Sequence, residues 1–400
     1  MDFNLTPGEE AFRKEVSDWL DGNLKDLPDW WGRTDITSPD MEQEEHQAFY
    51  LRWHKKLYQA GFVGITWPEE YGGRGGTLIE QYLFNEELAK RRAPALLGNL
   101  GLGWAGPTIL LAGSEEQKKR FLPRILSGDD YWCQAFSEPE AGSDMANTRT
   151  RAVEDGDDFI VNGQKVWTTG GMKADWAILL AKTDFSTETP RHRSLTFFLL
   201  DMHAPGVTVR PLREMTGDAL FGETFLDDVR IPKSMMVGEK NGGWYISMKT
   251  LEFERTNSST AFIRLNTVKN LVDLVGTMEE KGRPLSRDPG VRRKIAQFYI
   301  EANVCKLLGL RTLTRQLRGM DPGAESAVGS LLSMELNQRM QQFAMSLLGP
   351  WGNLSKGSKY TVNDGNWQRS FLSSRGDTIM TGTSEIKRNI IAQRTLGLPR

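Results

Sequence analysis

The chain has 400 residues, of which 39% are hydrophobic and 26% are charged. This length predicts two or three domains, and this composition is ordinary for a soluble globular protein. The 50 basic and 52 acidic residues give a net charge of −2, which argues against a nucleic-acid scaffold because such proteins carry a basic surplus.

The cysteines and histidines indicate neither a disulfide framework nor a metal centre. Cys133 and Cys305 lie far apart, which favours a reducing compartment. None of the histidines pairs with a second ligand at metal spacing, so we expect no metal and four solvated side chains: His46, His54, His192 and His203. The opening MDFNLTPGEE lacks the basic and apolar regions of a signal peptide, and no apolar run reaches the roughly 20 residues of a membrane helix. We therefore expect a cytoplasmic protein without a membrane span.

Residues 1–130 are predicted to form a helical domain. TPGE at 6–9 and SEEQ at 114–117 are capping boxes that begin helices. The first helix has its apolar residues on one face: Phe12, Val16, Trp19 and Leu20. GLGWAG at 101–106 matches the dinucleotide motif G-x-G-x-x-G, but it follows a helical segment rather than a strand. Helix packing around small residues is therefore the favoured interpretation.

Residues 131–240 are predicted to form a β domain, and residues 241–400 a helical bundle. Short strands separated by Gly, Pro and Asp favour a small barrel or sandwich, with a hairpin turn at Asn162-Gly163. After residue 240 the spacing returns to that of helices, which continue around Trp244, Ile295 and Leu331.

Two short segments of the β domain are candidate ligand sites. SEPEAGSD at 137–144 puts small residues into a bend at a strand end, where backbone N–H groups can cradle an anion or a polar ring edge. An ordinary acidic loop is the alternative. WTTGG at 167–171 could stack on and hydrogen-bond a flat heteroaromatic ring, and the alternative is a hairpin with a core tryptophan.

Two segments of the last third carry further candidates. In LEFER at 251–255, Glu252 and Glu254 point in different directions because they are two apart on a helix. One inward carboxylate would be a base with a raised pKa, whereas two solvated glutamates are the alternative. IMTGTSEIKR at 379–388 is a glycine turn feeding a helix start, which suits an anion or a cofactor, but Thr381 in this turn is no acid or base.

Together these segments resemble the acyl-CoA dehydrogenase family. Seven stretches occur in the family's order and spacing: WPEEYGGRG (67–75), GSEEQKKRFLPRILSGD (113–129), SEPEAGSDMA (137–146), NGQKVWTTGG (162–171), FLDDVRIP (225–232), VGEKNGGW (237–244) and GTSEIKRNIIA (382–392). The resemblance implies an α+β multidomain fold, with an N-terminal helical domain, a middle β-barrel-like domain and a C-terminal helical bundle.

The resemblance implies FAD as cofactor and assigns its contacts residue by residue. One set lines the flavin, with Ser137 at the pyrimidine edge: Gln134, Phe136, Ser137, Gly142 and Ser143. Trp167 packs beside the ring, Thr168 adjoins it and Thr169 reaches N5. Gly349, Thr383 and Glu385 hold the adenosine and pyrophosphate, often across a subunit interface. Ser143 also contacts the CoA part of the substrate.

The resemblance also implies a reaction, the α,β-dehydrogenation of an acyl-CoA thioester, as in fatty-acid β-oxidation. Many members place the catalytic glutamate where this chain has Thr381, whose backbone N–H can still hold the thioester carbonyl. The isovaleryl and long-chain members carry the base in an L-x-x-E-R context, which residues 251–255 match. We therefore expect Glu254 as the base, Glu252 as an outward partner, and Arg255 and Thr381 as substrate contacts, with a long, branched or bulky acyl chain.

Partners and rival functions follow from the same resemblance. Electron-transfer flavoprotein is the expected acceptor, and the chain is expected in a homo-oligomer (dimer or tetramer) or in a heterotetramer with a related subunit. The second assembly is considered because KGRPLSRDPG at 281–290 replaces the R-x-F-G element of many members, with Arg283 or Arg287 as substitutes. The rival functions are an oxygen-using flavoenzyme on the same fold and a non-catalytic subunit.

Overall fold

The computed structural model describes residues 4–28, 30–31, 44–255, 259–280 and 282–399, and the side chains of 254, 255 and 259–261 lie outside this description. The chain divides into two compact units. The first comprises Met1–Tyr50, Gly76–Ala95 and Arg255–Arg400, and the second comprises Leu51–Gly75 and Leu96–Glu254.

Helices occupy the first and last parts of the chain, and strands occupy the middle. The helices are α1 (Pro7–Asn23), α2 (Glu44–Gln59), α3 (Leu78–Lys90), α4 (Gly106–Ala112), α5 (Glu115–Ser127), α6 (Gly243–Arg255), α7 (Ser259–Thr277), α8 (Pro289–Leu317), α9 (Ser326–Leu348), α10 (Asn366–Asp377) and α11 (Ser384–Ile390). The strands of the main sheet are β1 (Trp132–Ala135), β2 (Arg151–Asp155), β3 (Asp158–Thr169), β4 (Trp176–Lys182), β5 (Leu195–Asp201), β6 (Val207–Leu212), β7 (Phe221–Pro232) and β8 (Met236–Val237). A small hairpin follows, made of β9 (Glu279–Glu280) and β10 (Arg283–Pro284). The predicted helical, β and helical organisation is confirmed, whereas the bounds of three domains stay a prediction.

Local sequence signals account for several helix ends. Thr6 and Ser114 form the predicted capping boxes with Glu9 and Gln117, and these confirm the starts of α1 and α5. Helix α5 passes through Pro123 and ends at Ser127, before a left-handed Gly128.

The second unit is built around an eight-stranded sheet. Its order is β6-β7-β3-β2-β4-β5-β8, and β1 pairs with β4 in parallel. Apolar side chains of β3, β4 and β5 form its core, including Phe159, Val161, Leu179, Phe198 and Leu200. This core fixes the ends of β1 and β3, where the two candidate ligand segments begin.

The predicted hairpin at Asn162-Gly163 is wrong. The β2–β3 turn lies at Gly156, while Asn162 and Gly163 lie inside β3 at a register shift against β7. Asn162 exchanges two hydrogen bonds of 2.9 Å with Asp228 of β7. A Cβ on Gly163 would come within 2.5 Å of Thr150 Oγ1, so close packing, not a turn, requires this glycine.

The segment GLGWAG is helical, as predicted. It forms a short π-helical stretch, Gly101–Ala105, that continues into α4. A Cβ on Gly106 would lie 2.0 Å from Trp67 Cη2. The motif therefore serves close packing and does not bind a dinucleotide through a βαβ unit.

The first unit has its own core among α7, α8, α9 and α10. Leu271, Phe298, Leu336, Met340 and Trp367 pack together there. Among the helices that the structure describes, none is long and apolar enough to cross a membrane. Cys133 and Cys305 are both free and buried.

The expectation of four solvated histidines is wrong for two of them. His46 stacks 3.9 Å from the ring of Trp30, and His54 is completely buried. The charged composition of the segment around α2 concealed these two buried positions. Within the described ranges, no three His, Cys, Asp or Glu residues gather as metal ligands.

Candidate active site

The loop after β1 forms the predicted bend. Glu138 and Ala141 exchange two backbone hydrogen bonds of 3.1 Å, which closes a tight turn, and Gly142 and Ser143 follow it as exposed residues. A Cβ on Gly142 would meet nothing within 4 Å, so a ligand can approach this backbone closely.

The residues that lead into this bend alternate between half-buried and buried positions. Gln134 lies half-buried on β1, and Phe136 is buried edge-on against Phe197 with ring centroids 5.6 Å apart. Ser137 is half-buried where the bend begins. The Ser137 hydroxyl and the Gln134 amide are thus available to bind a ligand beside the buried ring of Phe136.

A buried ion pair fastens the bend to β3. Lys165 Nζ donates to Glu138 Oε1 at 2.7 Å and to the carbonyl oxygens of Phe136 at 3.1 Å and Leu180 at 2.7 Å. Burial lowers the pKa of Lys165 to about 8, although the Glu138 carboxylate opposes that shift. Burial acts to raise the pKa of Glu138, but the Lys165 ammonium and the N–H donors of Thr150 and Arg149 together hold that pKa below its usual range.

Sequence reasoning missed this pair, although one signal was present. Phe159 and Val161 are inward residues of β3, and continued alternation also turns Lys165 inward. A lysine at an inward position needs a partner, since an unpaired buried ammonium is costly. Nothing in the local spacing identifies Glu138 as that partner.

The end of β3 presents the tryptophan and the hydroxyls. Trp167 has φ +62°, a backbone region that bulky residues rarely adopt, and its side chain is 58% exposed. A β-bulge between Lys165 and Thr168 accounts for this backbone conformation. The indole lies edge-on to Phe221, with the ring centroids 5.6 Å apart. Thr169 is exposed at the strand end.

Thr168 differs from its two neighbours. Its side chain is buried, and its hydroxyl accepts a hydrogen bond from the Thr224 hydroxyl at 3.2 Å. The Val166 N–H donates to the Ser137 carbonyl at 2.9 Å, so the two candidate segments are joined directly.

Helix α6 carries the candidate base. Ser247 and Thr250 are buried on it, and the Thr250 hydroxyl lies 2.8 Å from the Thr108 hydroxyl. Glu252 pairs with Lys249 at 2.9 Å and is partly exposed. The backbones of Glu254 and Arg255 complete the helix, and their side chains lie outside the described residues.

The C-terminal turn has an unusual backbone and a buried lysine. Thr381 is exposed with φ +55°, followed by Gly382 with φ +89°. Thr383 caps α11 by accepting the Ile386 N–H at 3.2 Å. The Lys387 ammonium, missed by sequence reasoning, donates to the carbonyls of Thr381, at 3.0 Å, and of Gly382.

A cavity of about 490 Å³ lies beside this turn, between α9 and α11. Ser384 lines it and is 5% exposed, and its hydroxyl has no partner among the described residues. Gly349, at the end of α9, has φ +53° and open space where a Cβ would stand. The orphaned Ser384 hydroxyl suits a polar ligand with phosphate or ribose groups in this cavity, whereas the open backbone of Gly349 lies outside its lining.

Glu385 adds a charge to this cavity. Hydrogen bonds from its own backbone N–H and from the Thr383 hydroxyl hold the pKa of its carboxyl below the usual range. An ionised carboxylate suits a ribose hydroxyl better than a phosphate, because it repels an anion. Within the first unit, this carboxylate and the orphaned Ser384 hydroxyl fit the ribose and phosphate groups of a cofactor such as FAD. Within the second unit, the exposed indole and hydroxyl at the end of β3 fit a flat heteroaromatic ring.

Comparisons with known proteins cover the whole chain. Three family models match: the acyl-CoA dehydrogenase N-terminal domain at residues 6–129, the middle domain at 133–229 and the C-terminal domain at 241–396. The acyl-CoA dehydrogenase IpdE1 of Mycobacterium tuberculosis is 35% identical over 398 residues, which are 98% of each chain.

Solved structures agree with this assignment. The Tcur3481-Tcur3483 steroid ACAD superposes with a TM-score of 0.85 at 28% identity over 100% of both chains. The ChsE4-ChsE5 complex from Mycobacterium tuberculosis gives a TM-score of 0.82 at 30% identity, also over 100% of both chains. The chain therefore belongs to the acyl-CoA dehydrogenase family, and it is an FAD-dependent oxidoreductase.

Proposed function

We propose that this chain oxidises an acyl-CoA thioester to its trans-2-enoyl-CoA, with Glu254 as the base that removes the α-proton. When bound, FAD supplies the acceptor for the hydride that leaves the β-carbon. The protein's part is to bind the thioester, to hold its carbonyl and to take the proton.

The observation that supports this proposal is the different position of the two glutamates, Glu252 and Glu254, on helix α6. Glu252 is partly exposed and engaged by Lys249, so it is a poor candidate for a base inside a site. Position 254 follows Gly243, Ser247 and Thr250 at helical spacing, and all three of these residues are buried. Position 254 thus continues the helical spacing of these three residues, which supports Glu254 rather than Glu252 as the base.

The turn at Thr381 supports a second role. Its hydroxyl is no base, but its backbone N–H can donate to the thioester carbonyl and stabilise the charge that grows there on deprotonation. Lys387 donates to the carbonyls of Thr381 and Gly382, which orients the two peptide planes that follow Thr381 and so steadies the turn. Arg255 and Ser143 are proposed as further substrate contacts.

The flavin contacts follow the exposure of each group. Ser137 and Thr169 offer hydroxyls, Gln134 an amide, and Gly142 and Ser143 an open backbone, while Phe136 forms the floor. Trp167 offers an indole face beside the ring. Because the Thr168 hydroxyl already accepts from Thr224, its contact is proposed through the backbone.

The adenosine half is proposed to bind at Gly349 and along Thr383–Glu385. The positive φ of Gly349 allows close approach to its backbone, and the Glu385 carboxylate can accept from a ribose hydroxyl. The resemblance to the family implies these contacts, and the open backbone at Gly349 and the charge of Glu385 support them.

We propose a long or bulky acyl chain as substrate, of the size of a steroid side chain. A base on α6 is associated by resemblance with such substrates, and one similar structure is described as a steroid ACAD. Electron-transfer flavoprotein is the proposed acceptor.

We further propose that the chain works in an oligomer with a second copy or with a related subunit. Helix α8 carries exposed apolar side chains at helical spacing, at Ile300, Val304 and Leu307. The two similar structures are named for pairs of proteins, which supports a related subunit.

Anaerobic bleaching of the bound flavin by a panel of CoA thioesters tests the proposed reaction. We expect Glu254→Gln to slow flavin reduction roughly 10²–10⁴-fold, the usual share of a general base. Glu252→Gln, two residues away on the same helix, is the matched control and should reduce at the wild-type rate.

The outcomes separate the rivals. Near-normal reduction in Glu254→Gln would contradict the assignment of the base but keep the reaction. Bleaching in no variant, alone or with a related subunit, would favour a non-catalytic role. Turnover that requires oxygen, and not electron-transfer flavoprotein, would favour an oxygen-using flavoenzyme.

A further inference from the structure

We propose that Lys165 and Glu138 are positioning residues that hold the loop Ser137–Ser143 and the end of β3 at a fixed spacing before FAD binds. The inference rests on the proposed function, because it takes these two segments as the walls of the flavin site. Neither side chain is proposed to touch the flavin, since Lys165 is completely buried and Glu138 is 6% exposed.

On the loop side, Glu138 organises the bend from within. Besides Lys165, its carboxylate accepts the backbone N–H of Arg149 at 2.6 Å and of Thr150 at 2.9 Å. Its own backbone forms the reciprocal pair with Ala141. One carboxylate therefore joins the two ends of the segment 138–150, which contains the exposed Gly142 and Ser143.

On the strand side, Lys165 stands two residues before Trp167. The register of β3 against β7 is lost between Lys165 and Thr168, so pairing with β7 does not hold this stretch regularly. The Val166 N–H to the Ser137 carbonyl and the Lys165 ammonium to Glu138 are the bonds that tie it to the loop. These two hydrogen bonds to the loop therefore stabilise the bulge that exposes Trp167.

The ammonium also bonds two further chain segments. It donates to the Phe136 carbonyl, just after β1, and to the Leu180 carbonyl on β4. A buried pair stabilises a fold little more than apolar residues of the same shape would, because its desolvation is costly. The pair instead specifies one arrangement of the two segments that form the flavin site. It does so because Lys165 makes directional hydrogen bonds to the loop and to two other chain segments.

The experiment removes FAD and titrates it back into the full chain, with hydrogen exchange of the apo protein as a second measurement. Lys165→Met should weaken FAD binding by roughly tenfold or more, the equivalent of at least one net hydrogen bond. It should also speed exchange of the Glu138, Ala141 and Val166 amides. Lys240→Met is the matched control, because Lys240 pairs with Glu154 at 2.9 Å on the exposed surface of the same unit, and it should change neither quantity.

A double variant separates positioning from folding. Glu138→Gln with Lys165→Met leaves no unpaired buried charge, so its urea midpoint should recover towards wild type while its FAD affinity stays low. Wild-type FAD affinity and wild-type exchange in the double variant would overturn the proposal. So would a lowered urea midpoint in Lys165→Met with an unchanged FAD affinity.

Failure of the proposed function would look different. In that case no CoA thioester would bleach the flavin bound to the wild-type protein. FAD affinity and hydrogen exchange would still differ between wild type and Lys165→Met. The two measurements need no substrate, so the positioning role is decided without the reaction.

Discussion

His54 is held in its neutral form by burial. Its Nε2 lies 2.9 Å from the Leu126 carbonyl oxygen, which requires the N–H on that nitrogen. Nδ1 is buried and has no partner among the described residues, so a second proton there would have nothing to bind. Burial lowers the pKa of His54, the Leu126 carbonyl opposes this, and nearby Lys55 and Asp129 act in opposite directions.

This predicts a loss of stability in mild acid. Below the ordinary histidine pKa of about 6.5 the unfolded chain takes up a proton that folded His54 resists, so the free energy of unfolding falls as the pH falls. Urea midpoints at pH 7.5 and 5.5 should therefore differ more in wild type than in His54→Gln, which keeps a donor to Leu126. His203→Gln, at an exposed position, is the control and should behave as wild type. Equal pH dependence in wild type and His54→Gln would contradict the role given to His54.

At the scale of elements, Gly106 decides how α4 packs. Alanine in a helix usually stabilises relative to glycine by about 1 kcal/mol, but here its Cβ would lie 2.0 Å from Trp67 Cη2. We expect Gly106→Ala to lower the free energy of unfolding by about 1–3 kcal/mol, the usual cost of overpacking. Gly103→Ala, in the same segment but with nothing within 4 Å, should be neutral or slightly stabilising. Urea denaturation measures both variants, and equal effects would show that Trp67 moves aside.

Signals that act within a few residues predicted the elements well, and long-range contacts account for the errors. The capping boxes at Thr6 and Ser114 are closed by residues three positions on, so the sequence displays them completely. Asn162-Gly163 carries a strong hairpin signal, but pairing with β7 and close contact with Thr150 determine its conformation. Helix α7 was not predicted as a separate element because its apolar residues occur on most sides of the helix. The sequence therefore shows little of the alternation between an apolar and a polar face that marks an amphipathic helix.

In the candidate site, too, local signals were predicted and long-range contacts were not. The segments 137–144, 167–171 and 379–388 were found as motifs, because each forms a local bend or strand end. The ion pair of Glu138 with Lys165 spans 27 residues, and only the sheet brings the two together. No local spacing encodes such a pair.

At the scale of the whole molecule, α8 has two apolar faces. Phe298, Ala302 and Cys305 are buried in the core of the first unit. A second stripe, Ile300, Val304 and Leu307, is 56%, 40% and 51% exposed in the single chain. A contiguous exposed apolar stripe on a long helix is typical of a surface that another chain covers.

Charges on this stripe should therefore block assembly. Burying a carboxylate without a partner is costly, so Ile300→Glu with Leu307→Glu should shift the native mass, measured by light scattering, towards that of one chain. Met215→Glu, at a loop residue that is 64% exposed, is the control and should leave the mass unchanged. If wild type is itself a single chain, the same variant should fail to associate with the related subunit that wild type binds. A variant that keeps both its urea midpoint and its assembled mass would place the interface elsewhere on the molecule.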